Sequence, residues 1–302
     1  MKPTSHIYEK SGVITERDDS FCTLRLRLPG GVITPEQLKT LYETTQRYQL
    51  SDIHLTTRQT VEIPHIPDMI LPEVADTLAE GGCLLGAERG EVVNVTACPG
   101  DSRCKFSNID SLSIAYEIDA RYFGREMPAK VRIAVSACPN SCVSETLNEI
   151  GITGLRIPVR NEGMCTGCGT CVQYCREDAL YVNEGHVVLV RDKCMRCGMC
   201  VDSCVYDILA STPTAYMITL GGKRGRHPVV GQHLITVSST DALLAAVDTV
   251  IDWIYRYASF GIPISNQIGR ELDLGILKTT LMKNVPADSI MSVGDILEDI
   301  RV

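Results

Sequence analysis

No run of about eighteen apolar residues occurs in this chain, so it offers no candidate membrane span. A basic excess is missing too: 29 Lys and Arg against 37 Asp and Glu leave a net charge of -8. That balance excludes nucleic acid and anionic membranes as general partners, while leaving room for a locally basic pocket. The opening stretch MKPTSHIYEKSG lacks the apolar centre of a secretory leader, so a cytoplasmic protein is expected. The six histidines, His54 and His65 among them, show no metal-ligand spacing. Low-complexity linkers are absent. The Gly-Gly-Lys at 221–223 lacks the G-x4-G-K-[ST] spacing of a phosphate loop.

What the chain does have is cysteine, fourteen in 302 residues. Disulfides rarely persist in the cytosol, so such a number needs another use. Cys22 and Cys83 stand alone among apolar neighbours and read as buried structural thiols. The other twelve fall into regular groups.

Cys165, Cys168, Cys171 and Cys175 are spaced C-x2-C-x2-C-x3-C, and Cys194, Cys197, Cys200 and Cys204 repeat that spacing. This is the arrangement of bacterial ferredoxins with two [4Fe-4S] clusters, in which the fourth cysteine of each run ligates the other cluster. One cluster is therefore assigned to Cys165, Cys168, Cys171 and Cys204. The other is assigned to Cys194, Cys197, Cys200 and Cys175. The proline that usually follows the fourth cysteine is replaced by Arg176 and Val205. A zinc module is the alternative, although zinc sites favour paired C-x2-C. Two neighbouring clusters make a wire for single electrons, which implies delivery to something else in the chain.

Cys98 and Cys104, in ACPGDSRC, are too widely spaced for a redox pair. Cys138 and Cys142 form a second pair, spaced C-x3-C. Both pairs end predicted strands, VVNVTA and KVRIAVSA, so both can converge at one sheet edge. Together they supply four thiolates, enough for one more [4Fe-4S] cube. Two unrelated structural pairs remain the alternative.

The coarse pattern is mixed α/β. FCTLRLRL alternates apolar and charged residues and reads as a strand. Thr34 and Pro35 start a helix that runs to about Tyr48. DIHLTTRQTVEI reads as a second strand, and a helix is expected over 71–80. NIDSLSIAYEIDARYFG reads as helical and GLRIPV as a short strand. ALYVNEGHVVLV is β-like. AYMITLGGKRGRHPVVG reads as strand and loop, DALLAAVDTVIDWIYRYAS as a strong amphipathic helix and ELDLGILKTTLMKN as a weaker one. The boundaries suggested are 1–80, 81–160, a cysteine-dense insert over 161–210, and 211–302.

At this point the chain resembles the sirohaem-containing sulfite and nitrite reductases. C-x5-C followed by C-x3-C is their signature. LRLRLPGGVITPEQL and IHLTTRQ resemble the family's ferredoxin-like half-domain. NVTACPG and KVRIAVSACPNSC resemble its sirohaem domain, and GGKRGRHP its later cofactor loop. The insert is similar to that of the dissimilatory and small anaerobic sulfite reductases. The implied fold is α/β (α+β): a ferredoxin-like half-domain plus a sirohaem domain carrying an inserted two-cluster ferredoxin module.

The resemblance also implies roles. Cys142 matches the cysteine that both ligates the cube and bridges it to the sirohaem iron. Arg58, Lys130 and Arg132 match the cations that hold the substrate anion. Lys130 and Arg132 would share one strand face, since side chains repeat every two residues. Arg132 keeps the charge of the more usual Lys but is a poor proton donor. Val93 stands where the family has Arg, so a fourth cation is missing unless Arg89 or Arg103 replaces it. The carboxylates of sirohaem would be met by Lys223, Arg224 and Arg226, with Arg25, Arg27, Asn108 and Asn140 as further candidates. The implied cofactors are sirohaem and three [4Fe-4S] clusters.

The implied activity is the six-electron reduction of sulfite to sulfide. Nitrite reduction, or an electron-transfer or sensing subunit with weak catalysis, are the alternatives. A ferredoxin or a flavoprotein/iron–sulfur subunit would donate the electrons. One copy of each motif implies a homodimer, or pairing with a homologous subunit.

Overall fold

The computed structural model describes residues 11–161, 163 and 165–291. Most of the stretch read for a leader lies outside the described residues. Strands β1 (Val13–Thr15) and β2 (Phe21–Arg25) pair antiparallel. Leu24, Leu26 and Leu28 are buried, as the alternation of LRLRL requires. Helix α1 (Pro35–Arg47) starts at a reciprocal cap. Thr34 Oγ1 accepts from the Gln37 N–H at 3.1 Å, and Gln37 Oε1 accepts from the Thr34 N–H at 3.0 Å.

Residues 52–63 are not one strand. They form β3 (His54–Leu55), a reversal, and the start of β4 (Val61–Pro67). Thr56, Thr57 and Thr60 have the β-branched look of a strand. However, the Thr56 and Thr60 hydroxyls lie 2.6 Å apart across the turn, and Gln59 takes a positive φ of 57°. Local side-chain bonding has overridden the propensity. Helix α2 (Leu71–Glu80) completes this unit. The sheet order is β1-β2-β4-β3, and Leu41, Val74 and Leu78 from the helices share its core with Leu24 and Ile63. Cys22 and Cys83 are both buried in that unit, and burial pushes the Cys83 thiol up.

The second unit contains β5 (Thr96–Ala97), α3 (Ser111–Tyr122), β6 (Ile133–Ser136) and β7 (Ile150–Leu155). The GLRIPV stretch splits between β7 and β8 (Pro158–Arg160). Next come α4 (Thr170–Tyr174), the hairpin β9 (Leu180–Asn183) and β10 (His186–Leu189), α5 (Met199–Asp202) and β11 (Leu209–Ser211). The chain then returns through β12 (Ala215–Leu220) and β13 (Gln232–Val237) to α6 (Thr240–Tyr257), α7 (Ile264–Gln267) and α8 (Leu274–Asn284). The main sheet runs β13-β12-β7-β6-β5. Its β5, β6 and β7 are parallel, while β12 is antiparallel to both neighbours.

The cysteine-rich module leaves and re-enters the sheet at one point. Leu155, the last residue of β7, lies opposite Ala215, the first of β12. Between them β8 pairs with β11 as a neck. Helices α4 and α5 each begin at a left-handed glycine directly after the second cysteine of a run, Gly169 at φ 74° and Gly198 at φ 80°. A side chain would strain both turns, so the C-x2-C-G repeat fixes two equivalent loops. The half-domain is tied to the main sheet by backbone and side chains alike. The Gly30 N–H donates to the Val95 carbonyl at 2.9 Å, and the Leu28 N–H to Asn94 Oδ1 at 3.0 Å.

Candidate functional site

The parallel pair β5 and β6 ends in cysteine on both strands: Cys98 follows β5, and Cys138 lies two residues past β6. Loops beyond the carboxyl ends of parallel strands are the usual ligand positions of α/β sheets. Cys98 is locked there: the Ala137 N–H donates to its sulfur at 3.1 Å. Burial pushes the Cys138 thiol up, and the sulfurs of Cys98, Cys104 and Cys142 add to the effect. These four therefore sit together, with Cys142 exposed. The loop that carries Cys138 and Cys142 is pinned by a buried carboxylate. Glu145 accepts from Ser136 Oγ at 2.5 Å, Ser141 Oγ at 2.6 Å and Thr153 Oγ1 at 2.8 Å. Ser141 and Ser144 flank Cys142 closely in left-handed conformation; Glu145 holds Ser141, and the Ser144 N–H donates to the Ser141 carbonyl at 2.8 Å.

The module contains two more groups of four. Cys165, Cys168, Cys171 and Cys204 line one cavity. Cys175, Cys194, Cys197 and Cys200 line another, of about 70 Å³, which also reaches Cys138. Burial pushes the Cys200 thiol up to about 12, and its neighbours Cys194, Cys197, Cys171 and Cys175 contribute. Burial also pushes the Cys171 thiol up, and Cys204 adds to it more than Cys165 or Cys168. In each group the fourth sulfur comes from the other run. Such crowding disfavours thiolates carrying no metal and is relieved when a cation replaces the protons. Among the described residues no three His, Cys, Asp or Glu side chains close on a single metal ion. In a cube each thiolate takes its own iron, so the sulfurs need not converge that tightly.

A cavity of about 280 Å³ lies at the junction of the two units, lined by Thr57, Arg58, Asn94, Thr96, Arg132, Asn148 and Arg224 among others. Arg58 reaches it from the β3–β4 turn. Its neighbour Gln59 clamps that turn to β5: Nε2 donates to the Ala97 carbonyl at 2.8 Å, and Oε1 accepts from the Ala97 N–H at 2.9 Å. Arg132 and Lys130 flank Val131, which is fully buried, so the two cations lie on the opposite side from the core; Arg132 lines the cavity, whereas Lys130 lies outside its lining, on Glu88. Arg224 donates to the Val143 carbonyl, next to Cys142. Among the described residues, Arg224 Nε and Thr96 Oγ1 are buried without a hydrogen-bond partner. An acceptor-rich, anionic group would satisfy both.

Carboxylates control these cations, and the sequence reading missed them. Glu88 accepts from Arg58 Nη1 at 2.9 Å and from Lys130 Nζ at 2.5 Å, and also pairs with Arg25. Glu149, 3% exposed, accepts from Arg132 Nε at 2.7 Å and from its N–H at 2.9 Å, and a third bond reaches Nη2. That pairing raises the Arg132 pKa. Burial lowers the Arg58 pKa, and Arg25 and Arg132 lower it further. Burial also brings Lys130 down to about 8, helped by Arg58, Arg25 and Arg132, while the Glu149 carboxylate pulls the other way. No short motif marks Glu88. Glu149 becomes visible only through register: β6 and β7 pair Ile133 with Ile150, which sets Arg132 beside Glu149.

Several residues expected to contact the cofactor lie outside the lining of this cavity. Arg27 is given to Asp119 at 2.8 Å and to the face of Phe123, so it joins the two units and does not line the cavity. Arg25 pairs with Glu62 and Glu88 behind Arg58 and Lys130. The Asn108 amide donates to the Gly154 carbonyl at 3.3 Å, inside the fold. Asn140 lines the cysteine cavity of the module side. Lys223 Nζ donates to Asn266 Oδ1 at 3.3 Å, and Arg226 is exposed. Val93 is 1% exposed and lies outside the cation cavity; its neighbours Asn94 and Thr96 line it, because alternate residues face opposite ways. Arg89 and Arg103 are exposed and do not line it either. Besides Lys130 and Arg132, the cation that acts on Arg58 is Arg25, itself paired with Glu62 and Glu88.

The model of the nitrite and sulphite reductase 4Fe-4S domain matches residues 88–260, and that of the nitrite/sulfite reductase ferredoxin-like half domain matches residues 14–81. The chain belongs to the nitrite and sulfite reductase family. A coenzyme F420-dependent sulfite reductase of Methanocaldococcus jannaschii is 33% identical over 249 residues, which is 82% of this chain. This chain spans only 40% of that relative's length. An uncharacterized protein of the same organism is 35% identical over 253 residues, 83% of this chain and 87% of that one. Dissimilatory sulfite reductase I shares the fold, with a TM-score of 0.66 at 16% identity over 93% of this chain and 70% of that one. The mixed α/β architecture with its ferredoxin-like half-domain is thus the family fold.

Proposed function

We propose that this family member reduces sulfite, with nitrite as the second reading, at a sirohaem coupled to a [4Fe-4S] cluster on Cys98, Cys104, Cys138 and Cys142. The observation that carries the reading is the cavity where Arg58, Arg132 and Arg224 meet beside the Cys142 loop. Its orphaned donors, Arg224 Nε and Thr96 Oγ1, suit a polycarboxylate macrocycle. When bound, sirohaem supplies an open iron position that can hold the sulfur atom through successive electron additions. The chain's own residues do the rest. Arg58 and Arg132 hold the anion, with Glu149 fixing the Arg132 guanidinium. Lys130, poised at about 8, can both pair with the anion and release a proton to a departing oxygen.

The eight module cysteines would carry two further [4Fe-4S] clusters in the crossed assignment read from their spacing. The group containing Cys175 shares a cavity with Cys138, so it would be the inner station of the wire. An external ferredoxin or flavoprotein would supply the electrons. On the half-domain, Leu38, Tyr42, Leu55 and Met69 are exposed, apolar side chains that a second copy or a homologous subunit would cover. Light scattering at micromolar concentration should then report a dimer or larger.

Three measurements test the function. An optical spectrum with an iron and sulfide count should report sirohaem and three cubes. Reduced viologen with sulfite, then with nitrite, should show turnover with sulfite preferred. Cys142→Ser should abolish sulfite turnover while the module clusters still take up electrons. A fully loaded wild-type protein with no turnover on either anion would favour the electron-transfer or sensing reading.

A further inference from the structure

The first ferredoxin-type run departs from the usual pattern just after its fourth cysteine, where Arg176 stands in place of proline. The Arg176 guanidinium lies over the Phe106 ring, 5.2 Å from its centroid. Lys105 Nζ lies 5.1 Å from the same centroid, so two cations share one ring. Phe106 comes two residues after Cys104, and Arg176 directly follows Cys175. The contact therefore joins the loop of one cysteine group to the loop of the next. Phe106 and Arg176 also line the cavity that holds the Cys138, Cys175, Cys194, Cys197 and Cys200 side chains. A proline at 176 would place no charge over the ring.

We propose that Arg176 and Phe106 form a joint that seats the module against the Cys98–Cys142 centre and holds a positive charge between the two groups. This rests on the iron–sulfur reading of both. The ring keeps the guanidinium over the gap, and the guanidinium favours the more negative, reduced form of the cluster nearest to it. The step it serves moves one electron. The cluster on Cys175, Cys194, Cys197 and Cys200 is oxidised by one electron, and that on Cys98, Cys104, Cys138 and Cys142 is reduced by one. No bond or proton changes place.

The test uses the full, cluster-loaded chain with Arg176→Gln, Arg176→Lys and Phe106→Leu. Each variant is first counted for iron and sulfide, then titrated with dithionite and followed by electron paramagnetic resonance. Arg176→Gln should lower the midpoint of the inner module cluster, shifting its electron partition by up to about tenfold, or about 59 mV for one electron. Arg176→Lys should restore most of that shift. Phe106→Leu should weaken the spin coupling between the two clusters and speed amide exchange around residues 104–107 and 175–178. A fully loaded Arg176→Gln protein with an unmoved midpoint would overturn the electrostatic role. Unchanged spin coupling and exchange in Phe106→Leu would overturn the seating. Wild-type protein that takes up no iron in the module would defeat the iron–sulfur reading itself, a separate and visible failure.

Discussion

Replacing Glu88 with Gln tests how the cation cavity is held together. The change is nearly isosteric and removes one negative charge from among Arg25, Arg58 and Lys130. Arg25 keeps a carboxylate in Glu62, 2.8 Å from its Nε. Arg58 and Lys130 lose the carboxylate that each contacts, at 2.9 and 2.5 Å. A hydrogen bond to a charged group contributes about 1.5–3 kcal/mol, so two give roughly 3–6 kcal/mol before any discount. All three side chains are close to 30% exposed, at 32%, 28% and 27% for Arg58, Lys130 and Glu88. Solvent screening therefore brings the expected loss to about 2–4 kcal/mol.

The loss should be recoverable by an anion. With Glu88 neutral, sulfate can take its place between the cations. A ligand at about 100 times its Kd restores about 2.7 kcal/mol. Urea unfolding of loaded Glu88→Gln protein, with and without sulfate at constant ionic strength, checks both halves. The reasoning is refuted if the variant unfolds at the wild-type midpoint. It is equally refuted if sulfate stabilises variant and wild type by the same amount.

Three further outcomes are expected. Arg58→Ala should lower kcat/KM for sulfite roughly 10- to 100-fold with clusters and sirohaem still loaded, measured in the viologen assay. Gln59→Ala removes both amide bonds to Ala97 and should cost about 1–3 kcal/mol in urea, although Gln59 itself need not touch a substrate. Lys130 titrates near 8 when folded, below its ordinary 10.5, so the unfolded chain binds more protons between those values. Stability should therefore rise as pH climbs through that window, by up to about 3 kcal/mol, and Lys130→Met should lose the rise when urea midpoints are compared across it.

Much of this protein was written into its sequence, and for a local reason. The C-x2-C-x2-C-x3-C runs fix their own loops, because Gly169 and Gly198 turn the chain after the second cysteine in each. Alternation in LRLRL and the Thr34 cap likewise depend on neighbours within a few residues: the three leucines are buried as the pattern requires, although β2 ends at Arg25, and α1 starts at the cap. The grouping of Cys98 and Cys104 with Cys138 and Cys142 was legible because both pairs follow strands that prove to be parallel neighbours.

The charges were a different matter. An arginine in a sequence carries no sign of its partner, and partners here come from distant segments. Arg27 went to Asp119 on α3, Arg25 to Glu62 and Glu88, and Arg132 to Glu149 across a strand register. Val93, where the resemblance puts a cation, is buried outside the cavity, while Asn94 and Thr96 line it. Local patterning determined where the sulfurs lie, because their geometry is set by turns of a few residues. Only tertiary packing decided which cations stay available to an anion, because that depends on which carboxylates the folded chain brings beside them.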